Sequence, residues 1–378
     1  MITTNIEFNF KGGDTSYLTH SLHPYPAKFP PQLPQSLLKQ FAVAGETVLD
    51  PFCGSGTTLV EARLQGINAI GVDVNGLSIL LSKVKATPLT PEKQTIIKQF
   101  INQLENDNFV WKTSSRPQII AKDIEGLEHW FQPNVAEELT YILQEIAKIE
   151  DKEIKDFLKI VFSAIIVRVS NQDSDTRFAA IEKNISNDFT FKLFISRANE
   201  YLKRVAELSN KIDSKTELTL FNADSRNLSF IADNSIDIII TSPPYANTYD
   251  YYLYHKFRKR WLDLDVKFAQ YNEIGSRRQF SSLKHDSQKW TDDLILCFKE
   301  MHRVLKPNHF AFIVIGDSVI KQKTIKIDEV IKEFVGNIGF EIQDIISSDL
   351  SSHSRIFNPT FAKKGKKEHL IILTKKND

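Results

Sequence analysis

Four consecutive residues, Ser242, Pro243, Pro244 and Tyr245, follow directly after an aliphatic run in the segment "IIITSPPYANTYDYY". The run predicts a buried parallel strand, and the proline pair ends it because proline has no backbone N–H to donate to a neighbouring strand. A hydroxyl group, two rigid residues and an aromatic ring therefore lie together at the carboxyl end of a strand. Open α/β sheets bind their ligands at this edge.

A second segment with the means for binding chemistry is "VLDPFCGSGTT", which places Asp50 at the end of a strand and Gly54 and Gly56 in the following turn. Glycines permit positive φ and close backbone approach, but the third glycine of a dinucleotide fingerprint and the lysine of a P-loop are missing. Asp73 ends the next strand, where a carboxylate accepts both hydroxyls of a ribose. A lone G-x-G turn mostly indicates a tight turn, whereas with both acids it predicts a nucleoside pocket.

These two motifs resemble those of the amino-methylating DNA methyltransferases, which transfer a methyl group from S-adenosylmethionine to the exocyclic nitrogen of cytosine or adenine. Asp50, Phe52, Gly54 and Gly56 match the family's F-x-G-x-G cofactor motif, and "SPPY" at 242–245 matches its catalytic [DNS]-P-P-[YFW] motif. Both motifs occur in order on the predicted strands. The resemblance covers roughly residues 22–85 and 217–320.

The resemblance also implies which residues bind S-adenosylmethionine. The segment "HPYPAKFPP" is similar to one that covers the methionine end of the cofactor, and Asp224 in "NADSRNL" takes the place of an acid that meets the adenine amino group. No ligand spacing for a metal is present. The implied cofactor-binding residues are Lys28, Phe29, Pro30, Asp50, Phe52, Cys53, Gly54, Ser55, Gly56, Thr57, Asp73, Val74 and Asp224.

The chemistry of this transfer explains the catalytic residue types. An exocyclic amino group is a poor nucleophile, and it attacks a methyl group only when its lone pair is freed and aimed in line. Ser242 and a carbonyl of the proline pair can accept the amino hydrogens, while Tyr245 can stack on a base flipped out of the duplex. Family members with serine at this position mostly methylate cytosine N4. Carbon-5 methylation is disfavoured because neither Cys53 nor Cys297 follows a catalytic-type proline.

The elements that position these motifs alternate between strands and helices. They predict a doubly wound, Rossmann-like methyltransferase sheet that is mostly parallel with an antiparallel last strand. The predicted strands are Thr47 to Asp50, "NAIGVDV", Glu217 to Asn222, Ile236 to Thr241, His309 to Gly316, "FEIQDIISS" and "EHLIILTK".

A helical insertion interrupts this progression. Leu139, Ile142, Leu143 and Ile146 recur at helical spacing, and further helices are predicted at Pro91 to Leu104, Asp151 to Ser170 and Phe189 to Asn210. The polar segment "SNQDSDTRF" between two of them is expected to be a loop. We therefore divide the chain into a cofactor-binding half at 1–85, a helical insertion at 86–216 that is a candidate for DNA recognition, and a catalytic half at 217–378.

The charge is unevenly distributed although the formal net charge is only +1. The segment from Tyr249 to Trp290 contains nine Lys/Arg and five acidic residues. Within it, aromatic and basic residues are interspersed in "YDYYLYHKFRKRWL". Such a segment fits a DNA backbone, but rings at helical spacing are as often core residues beside solvated cations. The candidate DNA-binding residues are Lys256, Arg258, Lys259, Arg260, Arg277 and Arg278.

Composition sets the remaining bounds. The chain has 378 residues, 42% of them hydrophobic and 25% charged, and neither a signal peptide nor an apolar run of membrane-spanning length, so we expect a cytosolic enzyme. Two distant cysteines exclude a disulfide framework. The implied partner is double-stranded DNA, with a cognate restriction endonuclease as a further expectation. An adenine-N6 enzyme, an RNA methyltransferase and a catalytically idle nucleic-acid-binding subunit are the alternatives.

Overall fold

A seven-stranded sheet forms the centre of the computed structural model, which describes residues 13–113, 126–212, 215–321, 323–349 and 366–377 together with positions 6, 10 and 124. Its strand order is β5-β2-β1-β6-β7-β11-β10. The strands are β1 (Thr47–Asp50), β2 (Asn68–Val72), β5 (Leu218–Phe221), β6 (Ile236–Thr241), β7 (Leu305–Gly316), β10 (Phe340–Asp349) and β11 (Lys367–Lys375). β11 runs antiparallel to both of its neighbours, and the other pairs are parallel. The predicted doubly wound fold class is confirmed.

The point where the strand order reverses lies between β1 and β6. Val48 pairs with Ile238 and Leu49 with Ile239, so the last residues of the two strands end side by side. Most residues of β1 and β6 are buried, as expected for a parallel sheet covered on both faces. The glycine turn and the proline pair therefore emerge from adjacent strands at one edge of the sheet, where α/β folds bind ligands.

Fourteen helices connect the strands in the described part of the chain. They are α1 (Gln32–Phe41), α2 (Thr57–Leu64), α3 (Gly76–Ala86), α4 (Pro91–Thr113), α5 (Leu127–Trp130), α6 (Pro133–Ala147), α7 (Lys152–Val169), α8 (Phe189–Ser209), α9 (Tyr251–Tyr254), α10 (Lys256–Trp261), α11 (Val266–Asn272), α12 (Arg277–Ser281), α13 (Ser287–Val304) and α14 (Ile327–Ile338). Side-chain caps begin several of them; for example, Asp151 accepts from the backbone N–H groups of Glu153 and Ile154 at the start of α7.

Helices α4 to α8 occupy the chain between β2 and β5, as the helical periodicity predicts. One expectation there was wrong, because the polar segment 170–178 contributes to a hairpin formed by β3 (Gln172–Ser174) and β4 (Arg177–Ala180). Its residues pair across a tight turn, a contact that local composition does not specify. A second small hairpin, β8 (Ser318–Ile320) with β9 (Lys323–Ile325), follows β7.

Three hydrophobic cores hold these layers together. Two cover the faces of the sheet, one of them with α13 and α14 and the other with α1 and α2. The third joins α3 to the inserted helices and includes Phe257 and Trp261, whose side chains are 1% and 0% exposed. These two rings are therefore core residues, and each stabilises the fold by about 2–3 kcal/mol through burial.

The helices α9 to α12 lie between β6 and β7 in the chain, directly after the proline pair. α10 packs against α3 and α7, which places this segment beside the carboxyl edge of the sheet. None of the described helices combines the length and the apolar composition needed to cross a bilayer.

Candidate active site

A cavity at the carboxyl edge of the sheet brings the two sequence motifs together. It encloses about 1030 Å³, counted out to its open mouth. Of the predicted cofactor residues, only Pro30 and Gly56 are absent from its lining. The predicted residues that line it are Lys28, Phe29, Asp50, Phe52, Cys53, Gly54, Ser55, Thr57, Asp73, Val74, Asp224, Ser242, Pro243, Pro244 and Tyr245.

The glycine turn requires glycine for two different reasons. Gly54 and Gly56 have φ values of +48° and +77°, which side chains rarely adopt. A Cβ atom on Gly56 would also lie 2.8 Å from the Ser82 Oγ and 2.9 Å from its Cα. The Ser82 hydroxyl in turn donates to the Gly54 carbonyl at 3.1 Å. Gly56 is therefore outside the cavity lining but sets the shape of the turn by allowing α3 to pack against it.

The carboxyl group of Asp50 links the two motifs through hydrogen bonds. Its Oδ1 accepts hydrogen bonds from the Thr241 hydroxyl at 2.7 Å and from the Phe52 N–H at 3.1 Å. Burial raises the pKa of this carboxyl to about 6, although the hydrogen bonds from Thr241, Thr58 and Phe52 act in the opposite direction. The group therefore fixes the start of the glycine turn against the strand that carries Ser242.

Asp73 occupies the position expected for a ribose-binding acid. Its Oδ2 accepts from the Gly54 N–H at 2.9 Å and its Oδ1 from the Asn75 N–H at 2.7 Å. Burial raises the pKa of Asp73 to about 6, against the effect of these backbone hydrogen bonds and of the Lys259 charge. Each carboxyl oxygen thus already accepts one bond, and the remaining lone pairs are left for a ligand.

The two carbonyl groups of the proline pair differ in their hydrogen bonds. The indole Nε1 of Trp290 donates to the Pro244 carbonyl at 3.1 Å. The Pro243 carbonyl accepts no hydrogen bond from the residues that the structure describes. Of the two carbonyls that the sequence offered as acceptors, the one of Pro243 is therefore available.

A hydrogen-bonded chain orients the aromatic residue of the catalytic motif. The Tyr245 hydroxyl donates to Oε1 of Glu368 at 2.9 Å. Burial raises the pKa of Tyr245, as does the Glu368 charge, whereas a hydrogen bond from the Ser242 hydroxyl lowers it. Glu368 was not predicted, because it lies on β11, far from the motif in sequence.

Three further lining residues were missed by sequence reasoning. The Tyr25 hydroxyl hydrogen-bonds with the Ser78 hydroxyl at 2.8 Å, and its ring stacks on that of Tyr251 with centroids 5.9 Å apart. Glu273 accepts from the Tyr251 N–H at 2.6 Å. Tyr25 stands in the quoted segment "HPYPAKFPP", and Tyr251 in the aromatic run, so both had a sequence signal, whereas nothing marked Glu273.

Two predicted cofactor residues already have partners. Lys28 Nζ donates to the His20 carbonyl at 2.9 Å, and burial lowers its pKa. Both carboxyl oxygens of Asp224 accept from the Arg226 Nε at 3.0 Å. Asp224 is thus neutralised by a guanidinium group, yet it remains in the cavity wall.

The predicted DNA-binding cations separate into buried and accessible groups. Arg258 and Lys259 are 1% and 0% exposed, and the Arg258 guanidinium bonds with the Ser163 carbonyl and the Asp175 carboxylate. The prediction that these two residues contact DNA needs correction, because α10 turns them into the protein interior. The half-buried cations are Lys256, Arg260, Arg277 and Arg278.

The cavity wall also contains buried polar atoms whose hydrogen-bonding capacity is unused. Ser55 Oγ, Asn75 Nδ2 and Glu273 Oε2 are buried and have no hydrogen-bond partner among the described residues. Leaving such groups unsatisfied costs about 1–3 kcal/mol each, so a polar ligand is the expected partner. A nucleoside cofactor with an amino-acid tail, such as S-adenosylmethionine, supplies donors and acceptors of both kinds and fits this wall.

Comparison with known proteins gives a consistent result. The family model for DNA methylases of the N6/N4 type matches residues 8–79 and 236–378. The type II methyltransferase M.MvaI of Kocuria varians is 28% identical over 392 residues, which cover 87% of this chain and 83% of that protein. The type II methyltransferase M.MjaII of Methanocaldococcus jannaschii is 24% identical over 384 residues, with 79% and 72% of the two chains covered.

Among solved structures, that of TrmN from Thermus thermophilus is similar over 93% of this chain and 50% of that one, with 12% identity and a TM-score of 0.37. This TM-score is too low to support an assignment of the fold. The fold is defined by the strand order and strand directions of the sheet.

Proposed function

Because the chain belongs to the N6/N4 family of DNA methylases, whose cofactor is S-adenosylmethionine, we propose that it methylates the exocyclic N4 of cytosine in duplex DNA. The observation that carries this proposal is the shared cavity, in which Ser242 and Pro243 face the same space as the glycine turn and Asp73. A base and a cofactor bound there would meet between two adjacent strands. Serine at the head of the catalytic motif favours cytosine over adenine, as in the family members that the sequence resembles.

The residues of the catalytic motif would activate the amino group by accepting its hydrogens. Pro243 and Ser242 both line the cavity, and the Pro243 carbonyl and the Ser242 hydroxyl are the acceptors that they offer. Two acceptors placed in this way hold both N–H bonds of the amino group, so its lone pair is left to point towards the cofactor. Because a carbonyl and a hydroxyl are fixed before the base arrives, little reorganisation is needed.

Tyr245 would hold the flipped base. Its ring lines the cavity, and the hydrogen bond from its hydroxyl to Glu368 prevents the ring from turning away. Flipping a nucleotide out of the duplex costs a few kcal/mol, and stacking on an aromatic ring recovers about 1–3 kcal/mol. Tyr249 and Tyr252 also line the cavity and extend this aromatic surface.

The opposite side of the cavity would hold the cofactor, which supplies the electrophilic methyl group. Asp73 would accept from the ribose hydroxyls, and the backbone of Gly54 and the Ser55 hydroxyl would lie along the amino-acid tail. Lys28 and Phe29 close this side from the N-terminal segment. Asp224 would meet the adenine amino group.

The DNA would be held by the segment that follows the catalytic motif together with the helical insertion at 86–216. Of the predicted cations in that segment, Lys256, Arg260, Arg277 and Arg278 remain candidates because they are partly accessible. Arg277 and Arg278 begin α12, only a few residues after Glu273 and Ile274 of the cavity wall. Phosphate contacts there would position the duplex over the mouth of the cavity. We further propose a restriction endonuclease of the same system as a partner.

The decisive experiment is a reaction of the purified protein with S-adenosylmethionine and unmethylated duplex DNA of mixed sequence, followed by digestion to nucleosides and mass spectrometry. We expect N4-methyl-2′-deoxycytidine from the wild type. Ser242→Ala and Tyr245→Ala should lose it, whereas Ser229→Ala, which changes an exposed serine, should not.

Each other outcome identifies an error. N6-methyladenine as the product would retain the mechanism and overturn the assignment of the base. Methylated RNA but no methylated DNA in a parallel reaction would overturn DNA as the substrate. A protein that binds neither the cofactor nor its demethylated product would be a nucleic-acid-binding subunit without this activity.

A further inference from the structure

Glu273 is a buried carboxyl group with one unused oxygen in the cavity wall. It follows α11 and is 6% exposed. Its Oε1 accepts the Tyr251 N–H at 2.6 Å, whereas Oε2 has no hydrogen-bond partner among the described residues. Because α11 and α12 place this carboxyl inside the cavity, it can contact whatever binds there.

The contacts of Glu273 place it on the cofactor side of the cavity. Through Tyr251 it is linked to Tyr25, whose ring lies 3.4 Å from the position of a Cβ on Gly54. Gly54 in turn donates to Asp73. The catalytic motif is held by other residues, Trp290 and Glu368, as described above. These contacts connect Glu273 to the part of the cavity wall that carries Gly54 and Asp73.

We propose that Glu273 is a second carboxyl ligand for the ribose hydroxyls of the cofactor, in addition to Asp73. Each oxygen of Asp73 already accepts one backbone N–H group, so Asp73 keeps only part of its acceptor capacity for a vicinal diol. Glu273 Oε2 is free to serve. A carboxyl group can bond a hydroxyl in either protonation state, as an acceptor when ionised and as a donor when protonated.

This inference rests on the proposed function, since it takes the cofactor for granted, and its test uses binding without DNA. Isothermal titration calorimetry would measure the affinity of S-adenosylhomocysteine and of its 2′-deoxy and 3′-deoxy analogues. The proteins are the wild type, Glu273→Gln and Glu273→Leu. Glu217→Gln, which changes an exposed glutamate, is the matched control.

We expect Glu273→Leu to weaken S-adenosylhomocysteine binding about tenfold or more, because a hydrogen bond to a carboxyl group is lost. Glu273→Gln should weaken it less, since an amide retains one acceptor and adds donors. For the wild type, removal of the ribose hydroxyl that Glu273 contacts should lower the affinity about tenfold. For Glu273→Leu, the same removal should leave the affinity almost unchanged. The control should bind like the wild type.

The alternatives give different patterns. Equal losses for all three ligands in Glu273→Leu would place the contact on another part of the cofactor and overturn the ribose assignment. Unchanged affinity for all ligands, with loss of affinity for DNA alone, would assign Glu273 to the base. If the wild type binds none of the ligands, the methyltransferase assignment fails first. Should the leucine variant not fold, as judged by circular dichroism, the glutamine variant with the deoxy analogues decides.

Discussion

The hydroxyl of Thr241 donates a 2.7 Å hydrogen bond to Oδ1 of Asp50. Thr241 is the last residue of β6 and Asp50 the last of β1, and the two side chains are 0% and 2% exposed. The bond joins the strand that leads into the catalytic motif to the strand that leads into the glycine turn, across 191 positions of sequence. The bond adds a side-chain link between the two halves of the site to the backbone pairing of β1 with β6.

Removing this contact should weaken both the fold and cofactor binding. Thr241→Val keeps the shape of the side chain but removes the hydrogen bond from the Thr241 hydroxyl to the buried Asp50, so we expect the free energy of unfolding to fall by about 1–3 kcal/mol. Urea denaturation and calorimetric titration with S-adenosylhomocysteine would measure the two effects. Thr219→Val, at an exposed position of β5, should change neither. Equal behaviour of the two variants would contradict the role of the bond.

The glycine turn allows strain and steric clash to be separated. Gly45 has φ +89° with nothing within 4 Å of an added Cβ, so Gly45→Ala should cost only the strain of positive φ, about 1–2 kcal/mol. Gly56→Ala has similar strain but also meets Ser82, and we expect a further cost of about 1–3 kcal/mol. It should also abolish detectable cofactor binding, while Gly45→Ala should not. Thermal unfolding and calorimetry would show whether the two variants differ.

The ring and the hydroxyl of Tyr245 should have separable effects. Tyr245→Phe keeps the stacking surface and loses the bond to Glu368, so we expect a loss of only a few fold in kcat/KM. Tyr245→Ala removes the ring and should lower kcat/KM by about 10- to 100-fold or more. Affinity for S-adenosylhomocysteine should stay near that of the wild type in both. Equal kinetic losses would mean that the hydroxyl, and not the ring, matters.

The basic residues after the catalytic motif should divide into structural and DNA-binding groups. Arg258→Met removes the donor to the Asp175 carboxylate and the Ser163 carbonyl, and because Asp175 is 35% exposed and can be hydrated, we expect a loss of stability of about 1–3 kcal/mol. The double change of Arg277 and Arg278 to alanine should cost less stability than Arg258→Met, because both side chains are only half-buried. It should lower DNA affinity about tenfold at physiological salt.

The salt dependence of DNA binding checks this division. Loss of two phosphate contacts should reduce the slope of log affinity against log salt by about 2. Fluorescence anisotropy with a labelled duplex at several salt concentrations would measure it. Lys299→Ala, at an exposed position on α13, is the control and should keep the wild-type slope. An unchanged slope in the double variant would exclude Arg277 and Arg278 from the DNA surface.

Buried carboxyl groups should make the protein less stable as the pH rises. Burial raises the pKa of Glu273 from 4.5 to about 8, with Asp250 adding to it while the Tyr251 and Tyr252 N–H groups and Lys259 oppose it. A group with a raised pKa in the folded state stabilises the fold fully below its unfolded pKa, and this contribution is lost as the pH rises through the folded pKa. The stabilising contributions of Asp50 and Asp73, each with a pKa of about 6, are lost at lower pH than that of Glu273.

Between pH 6.5 and 8 we therefore expect the free energy of unfolding of the wild type to fall by about 2 kcal/mol on account of Glu273. Glu273→Gln should remove most of this slope, whereas Glu217→Gln should retain it. Lys259, with its lowered pKa, acts in the opposite direction but only above about pH 8. Urea denaturation at a series of pH values makes the comparison. Parallel slopes in the wild type and Glu273→Gln would show that Glu273 does not titrate in this range.

The sequence by itself determined the sheet, the two motifs and the family. A glycine turn after a buried strand and a proline pair after another are local features, since backbone conformation and strand endings depend on nearby residues. The helical periodicity of residues 133–169 likewise predicted α6 and α7. Local signals such as these also placed Asp50, Asp73 and Ser242 at the same edge of the sheet.

Only the tertiary structure decided which residues complete the site and which leave it. Glu368 anchors Tyr245 from β11, Glu273 reaches the cavity after α11, and Tyr25 stacks on Tyr251 across the chain. Arg258 and Lys259 read as surface cations but are buried by the packing of α10 on the inserted helices. Burial and pairing between distant segments depend on how elements pack in three dimensions, and neither composition nor spacing along one segment encodes that geometry.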